Sequence, residues 1–201
     1  MSFGLLGAWA SLSSNRLAQK VAAGYVAIVR GVPDLVLLLL VFFGGQQLLD
    51  SIGSLTGLWD YAEISQFAAG VGTLGIVFGG YMTETFRGAI LAIPKGQIES
   101  GIASGMSHPL VFRRIIWPQM VRYSLSDFSC IWLAQLKSTA LVSVIGLQDL
   151  LYNGFAAGRS TRQLFTFMFA VLVIYLVMTA VSDLGLRWLD RKYNKGVVRT
   201  R

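Results

Sequence analysis

Four stretches of the chain are apolar over lengths that suit a lipid bilayer, and this feature limits the possible folds more than any other. They are residues 34–49, 64–81, 123–147 and 164–182. About 20 apolar residues of α-helix cross a hydrocarbon core about 30 Å thick. Residues 1–12 are also apolar but reach only about 18 Å as a helix, so they look like half of a span. We therefore predict an all-α membrane protein with about five transmembrane helices, the first of them partial.

The composition supports this prediction. Hydrophobic residues make up 54% of the 201 residues and charged residues 13%, about half the charged share of a soluble domain. The mean hydropathy is +0.61. A chain with so few charged residues cannot cover the surface of a soluble globular protein with polar groups. Its high apolar content also excludes an intrinsically disordered chain.

The loops between the spans alternate in charge, which predicts their orientation. The segment 13–31 is basic without any acid, and the segments 82–122 and 183–201 are mainly basic. The loop after residue 49 carries only acids, namely Asp50, Asp60 and Glu63. Because cytoplasmic loops collect Lys and Arg, we place the three basic segments, including Lys195, Arg199 and Arg201 of the tail, in the cytoplasm. The N-terminus is then periplasmic and the C-terminus cytoplasmic, and the net charge of +7 reflects the membrane, not a nucleic acid.

Several kinds of chemistry have no residues to support them. The chain has one cysteine, Cys130, and one histidine, His108, so an intramolecular disulfide and a cysteine or histidine metal site are not expected. It has no GxxxxGK[ST] phosphate-binding loop, the motif that cradles ATP in many ATPases. Asp127 and Lys137 are ten positions apart and fall on different helix faces, which argues against a membrane-embedded enzyme. We expect no cofactor and no enzymatic activity in this chain.

The segment 82–122 is too long for a simple connector between two spans. Pro94 ends the preceding helix, and Ile98 and Ile102 are spaced to share one face of a short amphipathic helix. Ser107 is placed to cap a following helix, which we expect Pro118 to end at the membrane surface.

This segment carries a spaced motif. It has Glu99-Ser100-Gly101, three residues, Gly105, nine residues, Ile115, one residue, and Trp117-Pro118. The pattern resembles the cytoplasmic Glu-Ala-Ala loop of permease subunits in bacterial ATP-binding-cassette importers. Ser100, Gly101 and Trp117 depart from the residues usual there, and the first two replacements are small.

Other segments resemble permeases for polar amino acids, and the resemblance covers about residues 4–199. These segments are 25–45, 84–89, 93–96 and 137–146. The variant Val32-Pro33-Asp34 looks most like the subgroup for histidine, other basic amino acids and opines. Family members usually have a complete first span, so about thirty residues would be missing here.

The resemblance implies a type I ABC importer permease fold with a cytoplasmic coupling helix, in the bacterial inner membrane. Residues 1–201 would form a single transmembrane permease domain, and 82–122 its coupling loop. The implied function is ATP-driven import of a polar, basic amino acid or opine. The implied partners are cytoplasmic ATP-binding subunits, a second permease subunit (self or paralogue), a periplasmic amino-acid-binding protein and membrane lipid, with no nucleic acid. The alternative is a non-transporting fragment or a structural membrane protein derived from such a permease.

The resemblance also implies the residues that couple this chain to the ATPase. A helix over 99–107 would dock in a groove of the ATPase, with small side chains allowing close approach, Glu99 capping the helix or pairing with the partner, and Gly105 forming a sharp turn. The predicted coupling set is Glu99, Ser100, Gly101, Ala103, Ser104, Gly105, Ile115 and Pro118.

Polar residues within or beside the spans are candidates for the translocation path. Lys137 lies inside the stretch 123–147 and is able to face a substrate path, pair with an acid of a partner or extend outward. Glu84 and Arg87 are three apart and are expected first as a structural ion pair. Asp34 follows Pro33 and is expected to cap a helix. Gly75 and Gly79 have the spacing of close helix packing, within the subunit or in a dimer.

Overall fold

The computed structural model describes residues 1–57 and 63–193. Asp60 and the tail residues Lys195, Arg199 and Arg201, which carry part of the alternating loop charge, lie outside the described residues. Within the described ranges the ordered elements are all helices, as predicted. We number them α1 (Ser2–Leu12), α2 (Arg16–Gly31), α3 (Asp34–Thr56), α4 (Gln66–Leu91), α5 (Lys95–Ala103), α6 (His108–Ile145), α7 (Leu150–Ser160) and α8 (Leu164–Tyr193).

Three of the described helices, α3, α6 and α8, are long and apolar enough to cross a membrane. They contain or overlap the predicted spans 34–49, 123–147 and 164–182. The predicted span 64–81 overlaps α4, a 26-residue helix over Gln66–Leu91, which is not among these three. The shorter α1 is the predicted partial span. Five spans therefore stay a prediction as a number, whereas the all-α fold is confirmed for the described residues.

Helix α6 corrects the expectation that Pro118 ends a helix. The chain stays helical for 38 residues from His108 to Ile145. Proline lacks the N–H that an α-helix needs and its ring crowds the preceding turn. Here the turn before it, Phe112–Ile116, is π-helical, which widens the helix at the point of conflict. The loop helix and the span are thus one continuous element.

Contacts divide the described chain into two compact units, and α2, α4, α6 and α8 contribute residues to both. The first unit comprises 1–27, 79–133 and the chain from 181 onward. In it α1 packs closely on α4 through two glycines. A Cβ built on Gly4 would lie 2.5 Å from Met82 Cβ, and one built on Gly7 would lie 2.1 Å from Thr83 Oγ1. Only glycine permits this approach.

Gly79 of α4 belongs to the same contact, since a Cβ there would lie 2.6 Å from Phe3 Cβ. Packing within the subunit is therefore confirmed for Gly79. No atom of the described chain approaches the corresponding position at Gly75 within 4 Å, so the two glycines do not share one contact.

The second unit comprises 28–78 and 134–180. Its core joins α3, α4 and the end of α6 through Leu38, Ala69, Leu74, Val142 and Ile145. Helices α7 and α8 form a hairpin in which a Cβ on Gly158 would lie 2.9 Å from Leu164 Cα. Arg162, in the turn of this hairpin, has a φ of 56°, the left-handed region that disfavours a side chain.

Helix α8 exposes large apolar side chains on most of its surface. Phe165 is 83% exposed and Leu176 is 63% exposed. A helix that is apolar all around is suited to lipid and not to water, in agreement with a membrane span.

Candidate coupling and translocation sites

The first part of the motif, Glu99 to Gly105, lies in a short helix and in the tight turn that ends it. This helix, α5, runs Lys95–Ala103 and not over 99–107 as predicted, because Pro94 allows a helix to begin directly after it. Its C-terminus is a Schellman turn, in which Met106 N donates to Gly101 O (3.1 Å) and Gly105 N donates to Ile102 O (2.9 Å). Gly105 has a φ of 81°, so the predicted sharp turn at this glycine is confirmed. Glu99 is the fifth residue of α5 and does not cap its start.

Gly101 is the point at which α5 packs on α6. It is buried, and a Cβ there would lie 2.6 Å from Ile115 Cδ1 and 3.5 Å from Val111 Cγ2. The structure therefore brings together two members of the predicted set, Gly101 and Ile115. We predicted that Ile98 and Ile102 share the buried face of α5, and this was wrong in part. Ile102 is 44% exposed, and Gly101 is the residue buried against α6.

A second link between α5 and α6 was missed from the sequence. Gln119 Nε2 donates to Gln97 Oε1 (2.6 Å) and to Ile115 O (3.1 Å). The two glutamines are 22 positions apart, and nothing in their local patterns marks them as partners. With Gly101 this bond fixes the position of α5 on α6.

Most of the other residues of α5 and its turn are exposed. Glu99, Ser100, Ile102, Ala103, Ser104 and Gly105 are exposed. The Ser100 and Ser104 hydroxyls donate to the carbonyls of Gln97 (3.1 Å) and Ser100 (2.8 Å), so they need no external partner. The exposed surface of α5 and its turn thus presents one carboxylate, one ammonium group, that of Lys95, and one exposed apolar side chain, together with small residues whose backbone another protein can approach closely. Pro118 is exposed on α6, three positions beyond Ile115.

Lys137 lies near the end of the α-helical part of α6 and is exposed. The next residue, Ser138, donates from Oγ to Asp34 Oδ2 at 3.3 Å. Asp34 is the first residue of α3 and the acidic residue of its first turn, where the helix dipole favours a carboxylate, so its expected place at the helix start is confirmed. Asp34 and Lys137 thus lie on elements joined by a polar contact that spans 104 positions of sequence.

Glu84 and Arg87 bind each other near the end of α4. Arg87 Nη2 lies 2.7 Å from Glu84 Oε2, and both side chains are partly exposed. The predicted ion pair is confirmed. Among the described residues no cluster of three or more His, Cys, Asp or Glu side chains is arranged for a metal ion.

The chain matches a known family over nearly its whole length. Residues 3–195 match the family described as the binding-protein-dependent transport system inner membrane component. A histidine/lysine/arginine/ornithine transport system permease protein, HisQ of Escherichia coli K12, is 47% identical over 196 residues, which cover 98% of this chain and 86% of that protein. The octopine transport system permease protein OccQ of Rhizobium radiobacter is 41% identical over 197 residues, covering 98% of this chain and 83% of that protein.

Solved structures agree with the sequence comparisons. The crystal structure of an amino acid ABC transporter with histidines matches with a TM-score of 0.79 and 31% identity, over 95% of this chain and 84% of that chain. An inward-facing MetNI methionine ABC transporter matches with a TM-score of 0.70 and 18% identity, over 96% of this chain and 84% of that chain. The second match shows the fold alone.

Proposed function

The chain belongs to the family of inner-membrane components of binding-protein-dependent transport systems, and on that basis we propose that it is the permease subunit of an ATP-driven importer for basic amino acids or opines. The relatives named above act on histidine, lysine, arginine, ornithine and octopine. These substrates share an amino acid backbone, and most carry a cationic side chain. In this proposal a periplasmic binding protein delivers the substrate, and separate cytoplasmic subunits hydrolyse ATP.

The observation that carries the proposal is the geometry of α5. One side of this nine-residue helix is fixed to α6 by Gly101 and Gln97, and the other side is exposed and carries several small residues. When a docked partner moves, a helix held in this way moves with it and transmits the displacement to the spanning helix α6. We assign the ATPase contact to Glu99, Ser100, Ala103, Ser104 and Gly105, with Gly101, Ile115 and Pro118 supporting them from α6 and the packed face.

The translocation path is the second part of the proposal. A charged side chain inside a membrane protein is costly unless it faces a cavity or a partner, and Lys137 is exposed in this single chain. We propose that Lys137 faces the path and binds the substrate carboxylate, with Asp34 near it available for a cationic group. Glu84 and Arg87 neutralise each other, so we assign them to the structure of α4 and not to substrate binding.

The experiment is transport by the assembled importer in proteoliposomes. The chain is co-expressed with its ATPase, second permease and binding protein, and uptake of labelled arginine, histidine and octopine is measured together with ATP hydrolysis. Uptake of these substrates, dependent on ATP and on the binding protein, is the expected result. If the purified chain assembles with no ATPase, or the assembled complex takes up none of them, the proposal is wrong.

A pair of matched variants tests the coupling assignment. Gly105→Asp adds a carboxylate to the exposed turn, and we expect normal membrane insertion with loss of uptake and of substrate-stimulated ATP hydrolysis. Gly57→Asp makes the same substitution at another exposed glycine with positive φ, +64°, at the end of α3, and should keep uptake. Equal effects of the two variants would mean that strain alone, not docking at α5, explains the loss.

A further inference from the structure

An apolar cleft opens between α1, α4 and α6 in the first unit. Its volume is about 460 Å³, within the range of roughly 300–1,000 Å³ typical of ligand pockets. Side chains from all three helices line it, among them Leu5, Trp9, Leu12, Ile90, Phe112 and Trp117. None of these side chains is charged, so the cleft does not suit a polar amino acid, whose ammonium and carboxylate groups would lose their hydration without replacement.

Aromatic side chains stand at this cleft and remain exposed. Trp9 is 76%, Phe112 47% and Trp117 42% exposed, and the rings of Phe112 and Trp117 lie 6.1 Å apart. Tryptophan is enriched where a membrane protein meets the headgroup region of the bilayer. The cleft therefore has the side chains of a site at the edge of the hydrocarbon core.

The two sequence segments that contribute α1 and the first part of α6 to the cleft are basic and contain no acidic residue. Residues 1–33 contain no Asp or Glu, and neither do residues 100–126. Arg113 and Arg114 follow Phe112 directly and are exposed, and Arg16, also exposed, follows Leu12 by four positions. Guanidinium groups bind phosphate by charge and by paired hydrogen bonds, and basic pockets between spanning helices suit anionic lipid headgroups.

We propose that this cleft is a binding site for an anionic phospholipid, with one acyl chain between α1, α4 and α6 and the phosphate against Arg113 and Arg114. The site lies beside the coupling region. Phe112, which lines the cleft, and Ile115, which packs on Gly101, belong to the same π-helical turn. A lipid in the cleft therefore contacts the turn that supports α5.

The test measures lipid binding directly and does not depend on transport. The full chain, purified with its partner subunits and stripped of lipid, is titrated with phosphatidylglycerol or with phosphatidylcholine of the same acyl chains, and bound lipid is counted by native mass spectrometry. We expect phosphatidylglycerol to bind more tightly. With about 1 kcal/mol for each basic residue near an anionic lipid, the double variant Arg113→Gln/Arg114→Gln should lose about thirty-fold in affinity for phosphatidylglycerol and little for phosphatidylcholine.

Two further variants separate charge from shape. Lys95→Gln/Arg191→Gln removes the same charge from exposed positions outside the cleft and should leave binding unchanged. Ile90→Trp fills the cleft and should weaken binding of both lipids. Equal binding of the two lipids by the unaltered protein, or equal loss in the two charge variants, would overturn the proposal. A cross-link from the position of Phe112 to a partner subunit in place of lipid would overturn it as well.

Discussion

The contact of α1 with α4 allows a quantitative prediction for the substitution Gly7→Ala. The new Cβ would lie 2.1 Å from Thr83 Oγ1, 2.9 Å from its Cγ2 and 3.1 Å from its Cβ. Thr83 has no room to move, because it is 0% exposed and its Oγ1 donates to Gly79 O at 2.9 Å. A β-branched side chain also has few alternative rotamers in a helix. The two helices must therefore separate.

The cost follows from two opposing effects. Overpacking of a tight contact costs about 1–3 kcal/mol, whereas replacing glycine by alanine inside a helix stabilises it by up to about 1 kcal/mol. We expect a net loss of about 1–2 kcal/mol, which for a chain of this size lowers the melting temperature by roughly 2–8 °C. The measurement is thermal unfolding of the purified complex in detergent.

A double-mutant cycle isolates the contact. Thr83→Ala removes Oγ1 and Cγ2, so in that background Gly7→Ala should cost less than about 0.5 kcal/mol. Gly88→Ala is the control on α4, because no atom lies within 4 Å of its Cβ position, and it should be neutral or stabilising. If Gly7→Ala has the same effect with and without the Thr83 side chain, or does not lower the melting temperature at all, Gly7 and Thr83 do not form this close contact.

Three other substitutions test the second unit by the same thermal assay. Arg162→Gly should raise stability by about 1 kcal/mol, because glycine adopts the left-handed φ of 56° without steric cost. A lower melting temperature would show that contacts of the Arg162 side chain stabilise the hairpin by more than this backbone strain costs. Gly158→Ala, in the same hairpin, should destabilise by about 1–3 kcal/mol, since Leu164 Cα would lie 2.9 Å away, and an unchanged melting temperature would contradict the close packing. Ser138→Ala should cost only about 0.6 kcal/mol, because its bond to Asp34 is long at 3.3 Å, and a loss above about 2 kcal/mol would mean that this bond is much stronger than its length indicates.

The sequence predicted well those features that depend on local pattern. The apolar stretches 123–147 and 164–182 correspond to parts of α6 and α8, because runs of apolar residues of that length have few other solutions. The pair of Glu84 with Arg87 follows from a spacing of three residues, and the turn at Gly105 follows from the resemblance of the loop motif. The assignment of the coupling residues to an ATPase contact remains a prediction.

The features that the sequence did not predict depend on contacts between distant segments. The glycines of α4 indicated close packing. The glycines that meet them, Gly4 and Gly7, lie in α1, and the sequence around them does not indicate that α4 is their partner. The burial of Gly101 in place of Ile102 depends on where α6 passes. The continuation of α6 through Pro118 depends on a change of helix type, for which the sequence has no reliable signal.

The π-helical turn Phe112–Ile116 has a consequence for insertions and deletions. A π-helical turn contains about one residue more than an α-helical turn that connects the same two ends. Deleting one residue within it would restore an α-helix and leave the faces on both sides in register, provided that Pro118, whose ring the wider turn accommodates, is replaced as well. Deleting one residue elsewhere in α6 would rotate all residues beyond it by about 100°. This helix therefore has a place where its length can change by one residue without moving the residues at its two ends, and among single deletions within α6 in a Pro118→Ala background we expect only those in this turn to be tolerated.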